Sequence, residues 1–225
     1  MTTYANESVT CGACRRVFQR YVLTSTNSFG SADLDTRPPE MRRSTMNAWI
    51  WRCPSCGYCS KNIENFDERF RKTMVSSPYC SQLADDAFPE LASTFICAGM
   101  LAEAIDDREH AVAAAWNWLH AAWVLEDEDK SDFVRIYRGK AADAILALLK
   151  FGNSFSEQPG ASEAILTDCL RRSGRGAEAL QVIANSLSQP FMDVIHEILR
   201  FQQKLVETGD TGVHQVSEAL EANEP

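Results

Sequence analysis

The chain has 225 residues, 45% of them hydrophobic and 24% charged, and a formal net charge of −9. That is the make-up of a globular protein with material for one large domain or two modest ones. Residues 1–7 have neither the basic start nor the apolar run of a secretion signal, and no stretch nears the ~18 apolar residues of a membrane span. The expectation is a cytoplasmic protein without a membrane partner.

The charge is unevenly spread. Residues 1–75 carry 11 Lys and Arg against 7 Asp and Glu, whereas residues 76–225 carry 11 against 24. An acidic body repels phosphate backbones, so only the mildly basic front end is open to nucleic acid.

In chain order, residues 8–60 read as strand and loop. Val17, Phe18, Tyr21, Val22 and Leu23 form an aromatic and β-branched run, and residues 47–52 alternate so as to put Trp49 and Trp51 on one strand face. Between them runs a long loop from Ser25 to Thr45, marked by Gly30 and Pro38-Pro39. Loops of that length are uncommon unless functional. Within it Asp33, Asp35 and Arg37 alternate. They offer a possible loop site for a cation or polar ligand, although bracing or solvation is the commoner use of such residues.

From about residue 60 helical periodicity takes over. Helices are expected over 89–106, 108–125, 131–149, 162–172, 176–187, 191–208 and 212–221, with a frayed tail at 222–225. Segment 108–125 is apolar nearly all round (Val112, Trp116, Leu119, Trp123), as a central helix should be. Ser131 or Asp132 is the expected cap of the next helix, whose stripe is Phe133, Tyr137, Ala141, Ile145 and Leu148/Leu149. Residues 126–129, Glu-Asp-Glu-Asp, read as a solvated turn. Leu166, Leu170, Gly174, Ala179 and Ile183 fall near the spacing of a tetratricopeptide helix pair, and an ordinary helical bundle fits the same residues.

The chemistry lies in the cysteines. Cys11-Gly12-Ala13-Cys14 and Cys53-Pro54-Ser55-Cys56 are two C-x-x-C knuckles with 38 residues between them. Each knuckle aims two sulfurs at one point, and two knuckles supply the four thiolates of a closed tetrahedral structural zinc site. The separation exceeds the about 15–20 residues usual for a compact ribbon, and the long loop accounts for the excess. Pro54 presets its turn and Gly57 supplies a positive φ on leaving it. Cys59 makes a third, overlapping C-x-x-C with Cys56 and is a possible extra thiol or substitute ligand. Cys80 falls in a Pro/Ser-rich turn, while Cys97 and Cys169 read as buried small apolar residues.

These features resemble the bacterial family called domain of unknown function 2225. The resemblance rests on Cys11/Cys14, the acidic loop Asp33-Leu34-Asp35-Thr36-Arg37-Pro38, the element Cys53-Pro54-Ser55-Cys56-Gly57-Tyr58 and, loosely, Arg200-Phe201-Gln202 with Leu205. It implies an N-terminal zinc ribbon and a helical, tetratricopeptide-like remainder, and it carries no activity. Two positions depart from the family pattern: Gly12 stands where proline is frequent and Cys59 where alanine is usual.

The expected architecture is mainly α with a small β zinc ribbon, divided as residues 1–60 and a helical domain at 61–225. Catalytic residues are not indicated: His110, His120, His196 and His214 are scattered, and no P-loop, G-x-G-x-x-G or G-x-S-x-G occurs. The leading functional expectation is a non-enzymatic interaction scaffold for a protein or peptide partner. The alternative is nucleic-acid binding by the ribbon through Arg15, Arg16, Arg20, Arg42, Arg43 and Arg52.

Overall fold

The computed structural model describes residues 1–222, so the frayed tail expected at the C-terminus lies, for residues 223–225, outside the described residues. Two small antiparallel hairpins open the chain. In the first, β1 (Thr3–Thr10) pairs with β2 (Val17–Ser25), with Thr10 opposite Val17 and Thr3 opposite Ser25. In the second, β3 (Trp51–Arg52) pairs with β4 (Cys59–Ser60). Among the described residues each sheet has two strands, too few to stand alone in water.

The alternation at residues 47–52 does not make one strand. Met46–Ala48 is a 3-10 turn, and the strand is confined to Trp51–Arg52. Met46, Ala48 and Ile50 are indeed all buried. The chain coils nonetheless, because the Trp49 indole N–H donates to the Thr45 hydroxyl (3.0 Å), which itself donates to the Arg42 carbonyl (2.7 Å). Three short helices escaped the periodicity reading: α1 (Glu40–Arg43), α2 (Arg71–Met74) and α3 (Ser77–Leu83). Helix α3 holds Cys80, expected in a turn. It starts as a helix should, with Ser76 capping and Pro78 in the first turn.

The main array is α4 (Glu90–Glu103), α5 (Arg108–Asp127), α6 (Ser131–Lys150), α7 (Ala161–Arg172), α8 (Gly176–Ser186), α9 (Asp193–Glu207) and α10 (Val216–Glu221). Each packs on the next in sequence, and α7 also touches α9. Short polar turns set the boundaries. Asp107 caps α5 by accepting from the His110 amide (2.9 Å), and Gly174, at φ 83°, lets the chain leave α7. Neither Ser131 nor Asp132 caps α6; its N-cap is Lys130, without a side-chain bond. The last helix is also shorter than expected, because residues 210–215 are held in a turn by Asp210 and His214.

Helices α4 and α5 meet at Gly99, where a Cβ would lie 2.9 Å from the Trp118 ring. Trp118 is buried there, with Lys140 over its ring at 4.6 Å. Burying an indole of roughly 200 Å² contributes on the order of 5 kcal/mol. The apolar core runs without a break from Val9, Cys11, Met46, Ile50 and Tyr58 at the ribbon into Phe95, Trp118, Leu119 and Ile145 of the helices. A second, smaller cluster joins Leu34 to Ile195, Ile198 and Leu199. No helix among the described residues is long and apolar enough to cross a membrane.

Candidate metal centre

The two knuckles are built alike. In the first, the Cys11 amide donates to the Arg16 carbonyl (2.9 Å) and the Arg15 amide to the Cys11 carbonyl (2.9 Å). In the second, the Cys53 amide donates to Tyr58 (2.8 Å) and the Gly57 amide to Cys53 (3.0 Å). The fifth residue of each adopts a positive φ: 64° at Arg15 and 72° at Gly57. Glycine was foreseeable in that role, whereas Arg15 was not.

Space also selects the glycines. A Cβ on Gly57 would lie 2.5 Å from Leu83 Cδ1, and one on Gly12 would lie 2.5 Å from the Glu64 carbonyl oxygen. The Gly12 amide donates to Ile63 (2.9 Å), a bond proline could not make.

The result is a sulfur tetrad. Cys11 Sγ lies 3.7 Å from Cys56 Sγ, Cys14 Sγ lies 3.7 Å from Cys53 Sγ, and all four sulfurs lie within 4.8 Å of one another. A tetrahedron with metal–sulfur bonds of about 2.3 Å has edges near 3.8 Å, whereas a disulfide needs about 2.05 Å. The tetrad therefore fits a tetrahedral thiolate-bound metal. Electrostatics agree. Burial raises the Cys11 and Cys56 thiols above their ordinary value, while the Arg16 backbone N–H lowers Cys14. Buried thiolates of this kind need a cation to hold them ionised.

Cys59 is outside the tetrad. It is buried, its thiol donates to the Gly57 carbonyl (3.3 Å), and burial pushes its pKa well above the ordinary range. Hydrogen bonding from Cys59 lowers Cys97 on α4, so this thiol faces the helices. Cys97 and Cys169 are buried as expected; Cys80 is exposed.

The loop residues Asp33, Asp35 and Arg37 do something the sequence only hinted at. All three are buried, and Asp35 and Arg37 tie the loop to the helical array. Asp35 accepts from Trp123 Nε1 (2.7 Å), Arg138 Nη1 (2.7 Å) and the Arg37 amide (3.1 Å). Arg37 reaches Glu126 (3.3 Å) and Asp127 (2.5 Å), Arg172 also binds Glu126, and Arg171 pairs with Asp168 (2.7 Å). The expectation of a solvated turn at residues 126–129 is thus corrected for its first half: Glu126 and Asp127 are acceptors for guanidinium groups brought by the loop and by α6 and α7. Four carboxylates face four arginines here, which is why the charges tolerate burial.

Despite burial, which alone would raise it, Arg138 and Arg172 hold Asp35 down to about 2. Asp33 differs: burial lifts it to about 6 against the pull of Arg43, 2.7 Å away. The same loop then bonds the far end of the chain, Leu34 to His214 (2.9 Å) and Val216 to Ala32 (2.9 Å). It acts as a strap from ribbon to C-terminus.

Among the arginines, Arg43 is held by Asp33, Arg52 donates to the Leu83 carbonyl (2.9 Å), and Arg20 lies over the Trp51 ring at 4.2 Å. Arg15, Arg16 and Arg42 are exposed. His120 is half-buried among Trp49, Phe95, Trp116 and Trp123, and desolvation lowers its pKa to about 3. His110 and His214 bond to neighbouring carboxylates, and His196 to the Gln189 carbonyl.

No curated protein and no solved structure matches the chain. A family model does match, over residues 4–204, and it spans both hairpins, the strap and the helices to α9. The chain belongs to that family, DUF2225, described as uncharacterized protein conserved in bacteria.

Proposed function

We propose that this protein is a non-enzymatic interaction scaffold whose N-terminal ribbon is stapled by one structural Zn²⁺ on Cys11, Cys14, Cys53 and Cys56. The sulfur tetrad carries the metal part of this reading. Four thiolates fill every position of a tetrahedral ion and leave none for a catalytic water. The ribbon would then be a rigid appendage of a cytoplasmic helical array that packs in sequence like tetratricopeptide repeats.

The scaffold part rests on a groove of about 260 Å³ between α6, α7 and α8, where Leu146, Leu149, Leu166 and Val182 are joined by Glu163, Asn185, Ser186 and Gln189. Apolar grooves between helices take amphipathic segments of partners. The acidic balance of residues 76–225 favours a partner with basic flanks and speeds its capture at low salt.

The test uses the full chain. Metal analysis under reducing conditions should give one zinc per chain. A partner captured from native cells should survive nuclease and be lost on Val182→Glu. Zinc-free intact protein sinks the first part. Capture that is nuclease-sensitive, indifferent to Val182→Glu and lost on Arg15→Glu/Arg16→Glu replaces the second with nucleic-acid binding.

A further inference from the structure

The two hairpins leave a slot between them. A groove of about 320 Å³ is bordered by Phe18, Gln19, Arg20 and Tyr21 on one side and by Trp51 and Arg52 on the other. Successive side chains of a strand alternate between faces, so four consecutive residues can border one groove only along the strand's edge. The slot therefore lies along the edge of β2 away from β1, with Trp51 and Arg52 of β3 and Asn47 of the 3-10 turn across from it. Beyond the ladder to β1, residues 18–21 make no backbone hydrogen bond among the described residues. In an antiparallel pair every other residue turns its N–H and C=O away from its partner, so this edge carries unpaired groups at a strand's spacing.

The slot has a charge as well as a shape. Arg20 and Arg52 line it, and no carboxylate does. Among the described residues Arg20 Nε is buried without a hydrogen-bond partner, and its paired carboxylate, Glu7, is 3.5 Å from Nη2 and half exposed. Arg52 has one nitrogen tied to the Leu83 carbonyl, which fixes its direction. Tyr21, 68% exposed, also lines it.

We infer that this slot receives an extended acidic peptide segment of a partner protein, which adds as a strand to β2 and meets Arg20 and Arg52 with alternate carboxylate side chains. Strand addition satisfies the free edge through the peptide's backbone, and the arginines supply the selectivity. Single-stranded nucleic acid fits less well. Stacking needs an open ring face, and the Trp51 face is already covered by Arg20 at 4.2 Å, while Phe18 packs on the core. A second copy paired through the same edge would bring two Arg20 side chains together. This inference needs only a folded ribbon and is independent of the groove on α6–α8.

The experiment is selection of random octapeptides displayed against the full-length, metal-loaded protein. Enriched peptides should carry Asp or Glu at alternate positions. Their binding should weaken at least tenfold on Arg20→Ala, on Arg20→Gln and on N-methylation of alternate peptide amides, the last leaving the protein untouched. Bound peptide should slow hydrogen exchange at alternate amides of residues 18–21. Metal content shows whether each variant has folded. The inference is overturned if no peptide is enriched, if enriched peptides ignore both Arg20 variants, or if N-methylation is harmless. It is also overturned if labelled oligothymidylate protects the same amides, or if they become protected with rising protein concentration alone. Loss of Val182-dependent capture leaves it standing, so the two readings fail separately.

Discussion

The ribbon and the helical array solve one problem, how to hold polar or reactive groups inside a protein, in opposite ways. The ribbon gathers four cysteines that have no charged partner of their own, and its hairpins are too small to support them. The array, together with the strap loop folded onto it, buries Asp35, Asp168, Arg37, Arg138, Arg171 and Arg172 and balances them against one another. In the proposed function one region is complete only with an ion from outside; the other supplies its own counterions. The two should therefore fail under different insults. Chelation and thiol chemistry address the first, while acid and charge substitution address the second.

The largest effect belongs to the tetrad. Structural zinc contributes apparent binding free energies of about 10–16 kcal/mol. Replacing Cys11, Cys14, Cys53 or Cys56 by Ser should release the metal and abolish exchange protection in β1–β4. Helices α5–α9 should stay protected, because most of their packing is with neighbouring helices. Protection kept in the ribbon of a metal-free Cys53→Ser protein would break the comparison.

Next comes the ion network. Asp35→Ala leaves Arg138 and Arg172 buried beside fewer carboxylates and should cost about 3–5 kcal/mol in denaturant unfolding, with metal content unchanged. The Nε groups of Arg37, Arg138, Arg171 and Arg172 lack acceptors among the described residues, so the network is imperfectly satisfied. Asp35→Leu with Arg138→Met should accordingly lose much less than Asp35→Ala. Equal losses would mean that the network gives stability and not merely register.

The two aspartates of the strap have opposite pH signatures. Asp35 is held near 2, so its contribution is present above the usual carboxylate pKa of 3.8 and disappears as pH falls through about 2. Asp33 is raised to about 6, so the folded state binds its proton more tightly. Stability should therefore fall as pH rises from about 4 to about 6, by on the order of 1–3 kcal/mol. Asp33→Asn should remove that slope, measured as unfolding free energy against pH. A slope unaltered by the substitution assigns it to another group.

Cys59 sharpens the border between the regions. Cys59→Ala should keep its metal and cost roughly 1 kcal/mol, since it empties a small volume against α4. Loss of metal in this variant would move Cys59 into the ligand set.

What was legible follows from range. The knuckles are local, four residues each, so Cys11, Cys14, Cys53 and Cys56 stood out before any fold was known. The helices announce themselves by period. The strap did not, because Asp35 meets Trp123 and Arg138 across 88 and 103 residues of sequence, and nothing in a single sequence pairs them. The family resemblance pointed to the acidic loop without saying what it touches. Glu126 and Asp127 were misread for the same reason: a run of acids looks solvated until its arginines are brought in from elsewhere.

The smallest effect tests whether the two knuckles are true counterparts. Arg15 and Gly57 occupy the same place in the same hydrogen-bond pattern, both at positive φ. For a residue with a Cβ that conformation costs about 1 kcal/mol, which glycine avoids while giving back some unfolded-state entropy. Arg15→Gly should thus stabilise the ribbon slightly, by up to about 0.5 kcal/mol, visible as slower release of metal to a chelator. Gly57→Ala should do the reverse and more strongly, because strain is joined there by the 2.5 Å approach to Leu83. Should Arg15→Gly speed metal release, the arginine side chain is doing something for the site that its backbone geometry does not reveal.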